Sequence, residues 1–441
     1  MPTSSLVLDE SGAQFASQTL MAELPYRSLK TCLADLRRVV EMQDWSSPAC
    51  SLLLAGDKTA MTSSLALAKK VGKPSLVIVV GIGGSSLGAK AVADACLGPH
   101  HNLLNPKQQL LFADTVDGPA MDALLRIARS HLQSSGHVVI NVISKSGATL
   151  ETAANFEILR SGLSTLKTKG KLTIVATTDE GSALESLARR RGYATLSIPQ
   201  NVGGRYSVFS SVGLFPLALM GVDLKALLSG AQSMRARCLS DDLAKNPAAQ
   251  LAALVHAHAQ AGRRIHDHFI FSQSLVGAGH WYRQLMGESV GKEQDQSGMV
   301  VRAGITPTVS AGTVDLHSMA QLYLGGPDDK FYRFISVARP SADPKTPRDE
   351  ELEQLVPHAS GQKMSSLMDA ILYGTQSAFA AKNLPYVDLR LPDTSERSIG
   401  ALLQMEMIEM MLLAYLMNVN AFDQPAVEAY KKETRRILAE R

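Results

Sequence analysis

Val79-Val80-Gly81-Ile82-Gly83-Gly84-Ser85-Ser86-Leu87-Gly88 runs a β-branched apolar stretch into glycines and hydroxyls and then into an alanine-rich amphipathic segment. That order of residue types predicts a buried strand turning into a helix. The strand, Leu76 to Val80, is apolar at every position, as a strand covered on both faces must be. Outward from it, short apolar runs alternate with longer amphipathic stretches, the rhythm of βαβ units, which predicts parallel sheets flanked by helices. A first set of strands is expected at Leu76 to Val80, Val138 to Ile143, Leu172 to Ala176 and Tyr193 to Ile198. A second set follows an alanine-rich helical region from Asn246 to Gly262: His268 to Phe271, Thr308 to Ser310, Phe331 to Val337 and Tyr386 to Leu389. The fold class is α/β, with two three-layer αβα lobes. The expected boundaries are a helical lead-in over 1–50, lobes over 51–215 and 216–421, and a C-terminal segment over 422–441. That segment holds a charged helix from Gln424 to Glu440 with Pro425 in its first turn.

Composition agrees. With 441 residues, 45% of them hydrophobic, the chain exceeds one ordinary domain. Forty-four Lys and Arg against forty-one Asp and Glu leave a net charge of +3, too weak a field to argue for nucleic acid as a partner. Cys32, Cys50, Cys96 and Cys238 are scattered without a CxxC pair, which supports neither a disulfide framework nor a zinc knuckle and suits a reducing cytoplasm. Residues 1–11 lack the basic and apolar regions of a signal peptide. The longest apolar stretch, Ile399 to Val419, carries Glu406 and Glu409 in its middle, so a buried helix is expected and no membrane partner. Its methionines, Met405, Met407, Met410, Met411 and Met417, read as core rather than as a soft-metal box.

The glycine loop reads as an anion cradle: glycines let the backbone approach, and the helix start supplies N–H donors. It fits neither nucleotide motif. A dinucleotide fingerprint needs glycine where Ser86 stands, and a P-loop needs lysine where Ala89 stands. One strand later, Ser144-Lys145-Ser146-Gly147-Ala148-Thr149 crowds three hydroxyls and a lysine at a second strand-to-helix junction. This is either a phosphate cradle or plain capping of the helix by Thr149, with Glu151 in its first turn. Two such junctions in one lobe point to a phosphorylated small molecule. Arg205, in Gly203-Gly204-Arg205-Tyr206-Ser207, fits an oxyanion stabiliser or an interdomain salt bridge. Gln284, Glu288 and Lys292 share one helical face at spacings of four. Glu288 fits a general base, and Glu288 with Lys292 equally fits a surface ion pair. His317 opens a predicted helix ending at Gly325-Gly326-Pro327 and has a pKa range suited to acid or base work. His256/His258 and His266/His268 lack metal-ligand spacing, and no metal or other cofactor is expected.

Taken together, these motifs resemble the phosphoglucose isomerase family in its shorter bacterial form, over roughly residues 50–435. The resemblance implies two sugar-isomerase (SIS) domains, no cofactor, and a homodimer whose active sites draw on both subunits. By the resemblance, Gly84 and Ser85 lie on the first substrate loop, and Ser144, Lys145, Ser146 and Thr149 on the phosphate loop. Arg205 then stands beside an enediolate, Gln284 contacts substrate and Glu288 is the base. His317 serves ring opening from the neighbouring subunit, and in the tail Gln424 contacts phosphate while Lys431 assists ring opening. Ala148 and Ala426 depart from the family's usual threonine and glycine. The implied reaction is interconversion of glucose 6-phosphate and fructose 6-phosphate. Two alternatives share the phosphate loops: another phosphosugar isomerase, and a sugar-phosphate-binding SIS regulator. The first should lack the set Arg205, Glu288, His317 and Lys431, and the second should carry a basic DNA-reading helix that the lead-in does not show.

Overall fold

Strand Leu76–Val80 is wholly buried and sits inside a parallel sheet, as its unbroken apolar run requires. The structure is a computed structural model that describes residues 5–23 and 25–440. Residues 34–233 form one compact unit, and the described parts of 1–33 and 234–441 form another. The first unit holds five parallel strands in the order Gln109–Ala113, Leu76–Val80, His137–Ile143, Lys171–Thr178, Ala194–Ser197. Leu76, Ile78, Val80, Val138, Ile140 and Val142 join one apolar cluster with Met121, Leu132, Phe156, Leu159 and Leu163 from helices Gly118–Gln133 and Leu150–Ser164. The alternate residues Val77, Val79, Val139 and Ile143 are also fully buried. Helix Ser211–Leu219 packs on strand Leu76–Val80 and on helices Lys58–Val71 and Leu87–Leu97.

The second unit holds the order Val7–Asp9, Tyr386–Leu391, Lys330–Val337, Ile265–Ile270, Thr306–Ala311, parallel except for its first strand. A short antiparallel hairpin, Lys292–Gln294 with Val300–Ala303, stands apart from it. In the first sheet, the second strand in chain order lies beside the first, and the third lies on the first strand's other side, so the sheet has a switch point there; Ile265–Ile270 plays the same part in the second, between Thr306–Ala311 and Lys330–Val337.

Several expectations need correction. The boundary at 215/216 falls inside the first unit, because helix Ser211–Leu219 is bound into that unit's core; the division comes at 233/234. The 1–50 lead-in is neither one piece nor purely helical. Residues up to 33 belong to the second unit, where Val7–Asp9 pairs with Tyr386–Leu391. Strand Gln109–Ala113, absent from the expected set, is a half-buried edge whose flanking glutamines hid it. The strand expected from His268 begins at Ile265, because His266, Asp267 and His268 are buried despite their polarity. The tail helix is Val427–Ala439, since Gln424 and Pro425 form a turn whose carbonyls accept from Val427 and Glu428 N–H groups.

Helix Glu396–Leu416 is long and apolar enough to cross a membrane by length and composition, yet it is mostly buried within its unit. It packs against helices Pro247–Gln260 and Val276–Val290, with Met405, Met407, Met410 and Met411 in the core and Met417 half-buried at its end. Its two glutamates meet Arg333 from strand Lys330–Val337. Arg333 Nη1 and Nη2 donate to Glu409 Oε2 and Oε1 at 3.0 and 2.5 Å. Tyr282 Oη donates to Glu409 Oε1 at 3.3 Å, and the guanidinium lies 5.1 Å over the Tyr282 ring. Glu406 Oε1 is 3.5 Å from Arg333 Nη1 and 4.0 Å from His268 Nδ1. One guanidinium faces two carboxyls in a fully buried site. Burial accordingly raises the Glu406 carboxyl well above its usual range, while burial beside Arg333 pushes His268 well below its own.

Replacing Arg333 by Met leaves both carboxyls buried without their shared cation. We expect a loss of about 3–5 kcal/mol at pH 7. The deficit should shrink as pH falls, since protonation then removes buried negative charge that has lost its cation; urea unfolding at pH 5.5 and 7.5 checks magnitude and sign.

Candidate active site

The glycine loop is shaped by a second backbone. A Cβ on Gly84 would stand 2.1 Å from the carbonyl carbon of Gly204, so the turn Gly83–Ser85 and the turn Gly204–Tyr206 touch main chain to main chain. Ser207 Oγ fastens the contact, donating to the carbonyls of Gly204 at 2.7 Å and Gly84 at 3.3 Å. The contact fixes Arg205, which is buried with its guanidinium 5.3 Å from the Tyr206 ring centroid. Ser85 is half-buried in the same turn, and helix Leu87–Leu97 starts without a side-chain cap.

The second loop resolves one of the alternatives. Thr149 occupies the N-cap of helix Leu150–Ser164 but caps nothing; its Oγ1 lies 3.1 Å from Ser144 Oγ. Ser144 Oγ accepts from Gly147 N at 3.1 Å, and Ser146 Oγ from Ala148 N at 3.3 Å. The loop folds on its own hydroxyls and leaves the first turn of the helix without a side-chain acceptor, the arrangement an anion completes. Gly147, at φ +70°, makes the turn, and Thr178 Oγ1 donates to the Ser144 carbonyl at 2.7 Å from the next strand. Lys145 is half-buried and Ser146 exposed at the rim.

In the second unit, helix Val276–Val290 carries Gln284 and Glu288 on one face, both half-buried. Gln284 Nε2 donates to Glu288 Oε1 at 2.9 Å, orienting the carboxylate without a proton to give up. Lys292 does not form the surface pair that spacing allowed. It lies beyond the helix, buried, with its ammonium on the Glu288 main-chain carbonyl at 2.7 Å and 3.0 Å from Asp423 Oδ1. Glu288, Lys292, Asp423 and Gln424 line one cleft of about 480 Å³, with Gln424 exposed at its edge. Lys431, one turn into the tail helix, pairs with Glu428 Oε1 at 2.8 Å.

His317 does not open a helix. It closes the turn Val314–Leu316, exposed, and helix Ala320–Gly325 begins three residues later. That segment is tied to the sheet through Asp267, whose Oδ2 accepts from Thr308 Oγ1 at 2.6 Å, Ser310 Oγ at 3.0 Å and Tyr323 Oη at 3.3 Å. Burial pushes the Asp267 carboxyl up to about 6. His256, His258, His266 and His268 are core histidines: His256 meets Tyr26 Oη, His258 the Ala13 carbonyl, His266 the Phe331 carbonyl, and His268 stacks on Tyr282. Among the described residues no three His, Cys, Asp or Glu side chains gather as metal ligands.

Asp423, Ser207 and Asp267 hold these segments together and were not singled out in the sequence, where Lys292 stood only as a possible ion-pair partner of Glu288. Two signals were present: the doubled glycines at 83–84 and 203–204, which mark a backbone contact, and a lysine four residues after Glu288.

Two largely parallel sheets, each flanked by helices, define the sugar-isomerase fold. The chain belongs to the phosphoglucose isomerase family, whose profile, described as Phosphoglucose isomerase, matches residues 67–441. It is 35% identical over 381 residues to the glucose-6-phosphate isomerase of Symbiobacterium thermophilum, covering 85% of this chain and 82% of that one. A crystal structure of a hypothetical protein from Thermus thermophilus superposes with a TM-score of 0.84 at 30% identity, covering 98% of this chain and 100% of that one. The glucose-6-phosphate isomerase of Chlamydia trachomatis shares the fold at a TM-score of 0.79 and 22% identity, over 99% and 89% of the two chains.

Two outcomes follow. Gly84→Ala forces the two turns apart and should lower the melting temperature and reduce turnover at least about tenfold, since sub-ångström placement of Arg205 is lost; thermal melts with initial rates test this. Asp267, held above its unfolded value near 4, binds its proton more tightly in the folded state, so it weakens folding as pH rises from about 4 to 6. Relative to the parent, Asp267→Asn should therefore gain about 2–3 kcal/mol between pH 4 and 7, read from urea midpoints.

Proposed function

We propose that the protein interconverts glucose 6-phosphate and fructose 6-phosphate by ring opening and proton transfer through a cis-enediolate. The observation that carries this reading is the Glu288 carboxylate, held at 2.9 Å by a neutral amide on the wall of a cleft, in a chain of this family. The phosphate binds the loop of Ser144, Lys145, Ser146 and Thr149, taking N–H groups of helix Leu150–Ser164, with Gln424 as a further contact. Gly84 and Ser85 supply the first substrate loop. Ring opening falls to His317 and Lys431, the latter exchanging Glu428 for the sugar.

Glu288 then removes the C2 proton and returns it to C1 on the same face, Gln284 keeping the carboxylate aimed. Arg205 stabilises the enediolate charge; its burial makes that interaction stronger than in water. The reaction moves a proton with no net change in oxidation state, so its chemistry calls for no redox cofactor. The substrate is a free sugar phosphate, and we assign the enzyme to the cytoplasm as a homodimer with active sites shared between subunits, on the strength of its family.

The test supplies fructose 6-phosphate and couples product to a glucose-6-phosphate dehydrogenase. NADPH should form with the wild type, and its absence would refute the assignment. Glu288→Gln should reduce kcat by about 10²–10⁴-fold and abolish deuterium uptake at C2 in D₂O.

A further inference from the structure

The end of the base-bearing helix is fastened by a group that the chemistry above does not use. Lys292 is 7% exposed and follows the helix that ends at Val290. Its ammonium donates to the main-chain carbonyls of Glu288 and Asp423 and pairs with Asp423 Oδ1 at 3.0 Å. A desolvated ammonium must place its N–H groups and balance its charge. Here a carbonyl at the negative end of the helix, a loop carbonyl and one carboxylate answer both needs. Asp423 is fixed in turn, its Oδ2 accepting from Asn420 Nδ2 at 3.1 Å. The same segment is sewn to the hairpin that Lys292 begins: Gln296 N and Nε2 donate to the carbonyls of Asn418 and Val419 at 2.9 and 3.3 Å. The residue after Asp423 is Gln424, which lines the same cleft as Glu288.

We propose that Lys292 is a positioning residue for the isomerisation: a buried clamp that holds the Glu288 turn of the helix in register with the Gln424 segment across the cleft. This rests on the reading of Glu288 as the base and Gln424 as a phosphate contact. Lys292 acts through main chain and Asp423, not on the sugar. A shift of the last helical turn by about 1 Å takes the carboxylate off the C2 proton, a displacement that typically costs about 10²-fold in rate.

The experiment compares the full-length wild type with Lys292→Met, which keeps the stem and removes the charge, and Lys292→Arg, which keeps charge and donors. Three quantities are read: kcat, KM for fructose 6-phosphate, and the number of C2 deuterium exchanges per isomerisation in D₂O. Lys292→Met should lose about 10²-fold in kcat, raise KM and change the exchange ratio more than about twofold, and Lys292→Arg should recover at least about tenfold of the kcat loss. The exchange ratio is independent of how much enzyme is folded, so a merely structural lysine would lower kcat while leaving KM and the ratio fixed. That pattern, or values within about twofold of wild type in all three, overturns the clamp. If Lys292→Met does not fold, Asp423→Asn removes only the carboxylate partner and should shift KM and the ratio in the same direction; unchanged values overturn the proposal. Glu288→Gln is run alongside. An active Glu288→Gln overturns the base assignment and the clamp with it, whereas an inactive one beside an unaffected Lys292→Met overturns the clamp alone.

Discussion

Arg333 is the residue on which the second unit depends. Its strand, the long apolar helix and the helix of Glu288 meet at its guanidinium through Glu409 and Tyr282. Taking a charge pair out of water is unfavourable unless geometry is good and the remaining hydrogen-bonding capacity is used, so such a pair tolerates few arrangements. Apolar packing alone lets helices slide with small losses, whereas a two-pronged guanidinium–carboxylate pair does not. The pair therefore sets the register in which Glu288 reaches the cleft. The surplus carboxyl, Glu406, is pushed by burial toward its neutral form, against the pull of Arg333.

The two units reach functional geometry by different means. In the first, the backbone does most of the work: two turns in contact at Gly84 and Gly204, a loop folded on its own hydroxyls, and an uncapped helix start. In the second, side chains dominate: Gln284 orients the Glu288 carboxylate, and Lys292 ties the end of their helix to the Asp423 segment.

This difference explains what was legible in the sequence. Leu76–Val80 and its glycine loop were clear because hydropathy and glycine placement are local properties. The loop of Lys145, Ser146 and Thr149 stood out for the same reason, but whether Thr149 capped its helix depended on the distance to Ser144. The strand Ile265–Ile270 was misjudged at its start, because His266, Asp267 and His268 meet partners far along the chain, the Phe331 carbonyl, Thr308 and the Tyr282 ring, that no local pattern reveals. Lys292 looked like half of a surface pair, since the spacing of four is the same whether the helix continues or stops. Lys431 came from resemblance alone; on an exposed, charged helix nothing local distinguishes it from Lys432. The domain boundary failed because Ser211–Leu219, though it follows the last strand of its sheet, belongs to the core beneath the first.

Strand Val7–Asp9 closes the edge of a sheet whose adjoining strand, Tyr386–Leu391, lies near the other end of the chain. The whole first unit is encoded between them. During synthesis, at about 5–20 residues per second, the first unit can finish before the ribosome has made the second unit's sheet. The opening residues must wait, unpaired, for tens of seconds. Folding of the second unit is thus a long-range closure, entropically slow.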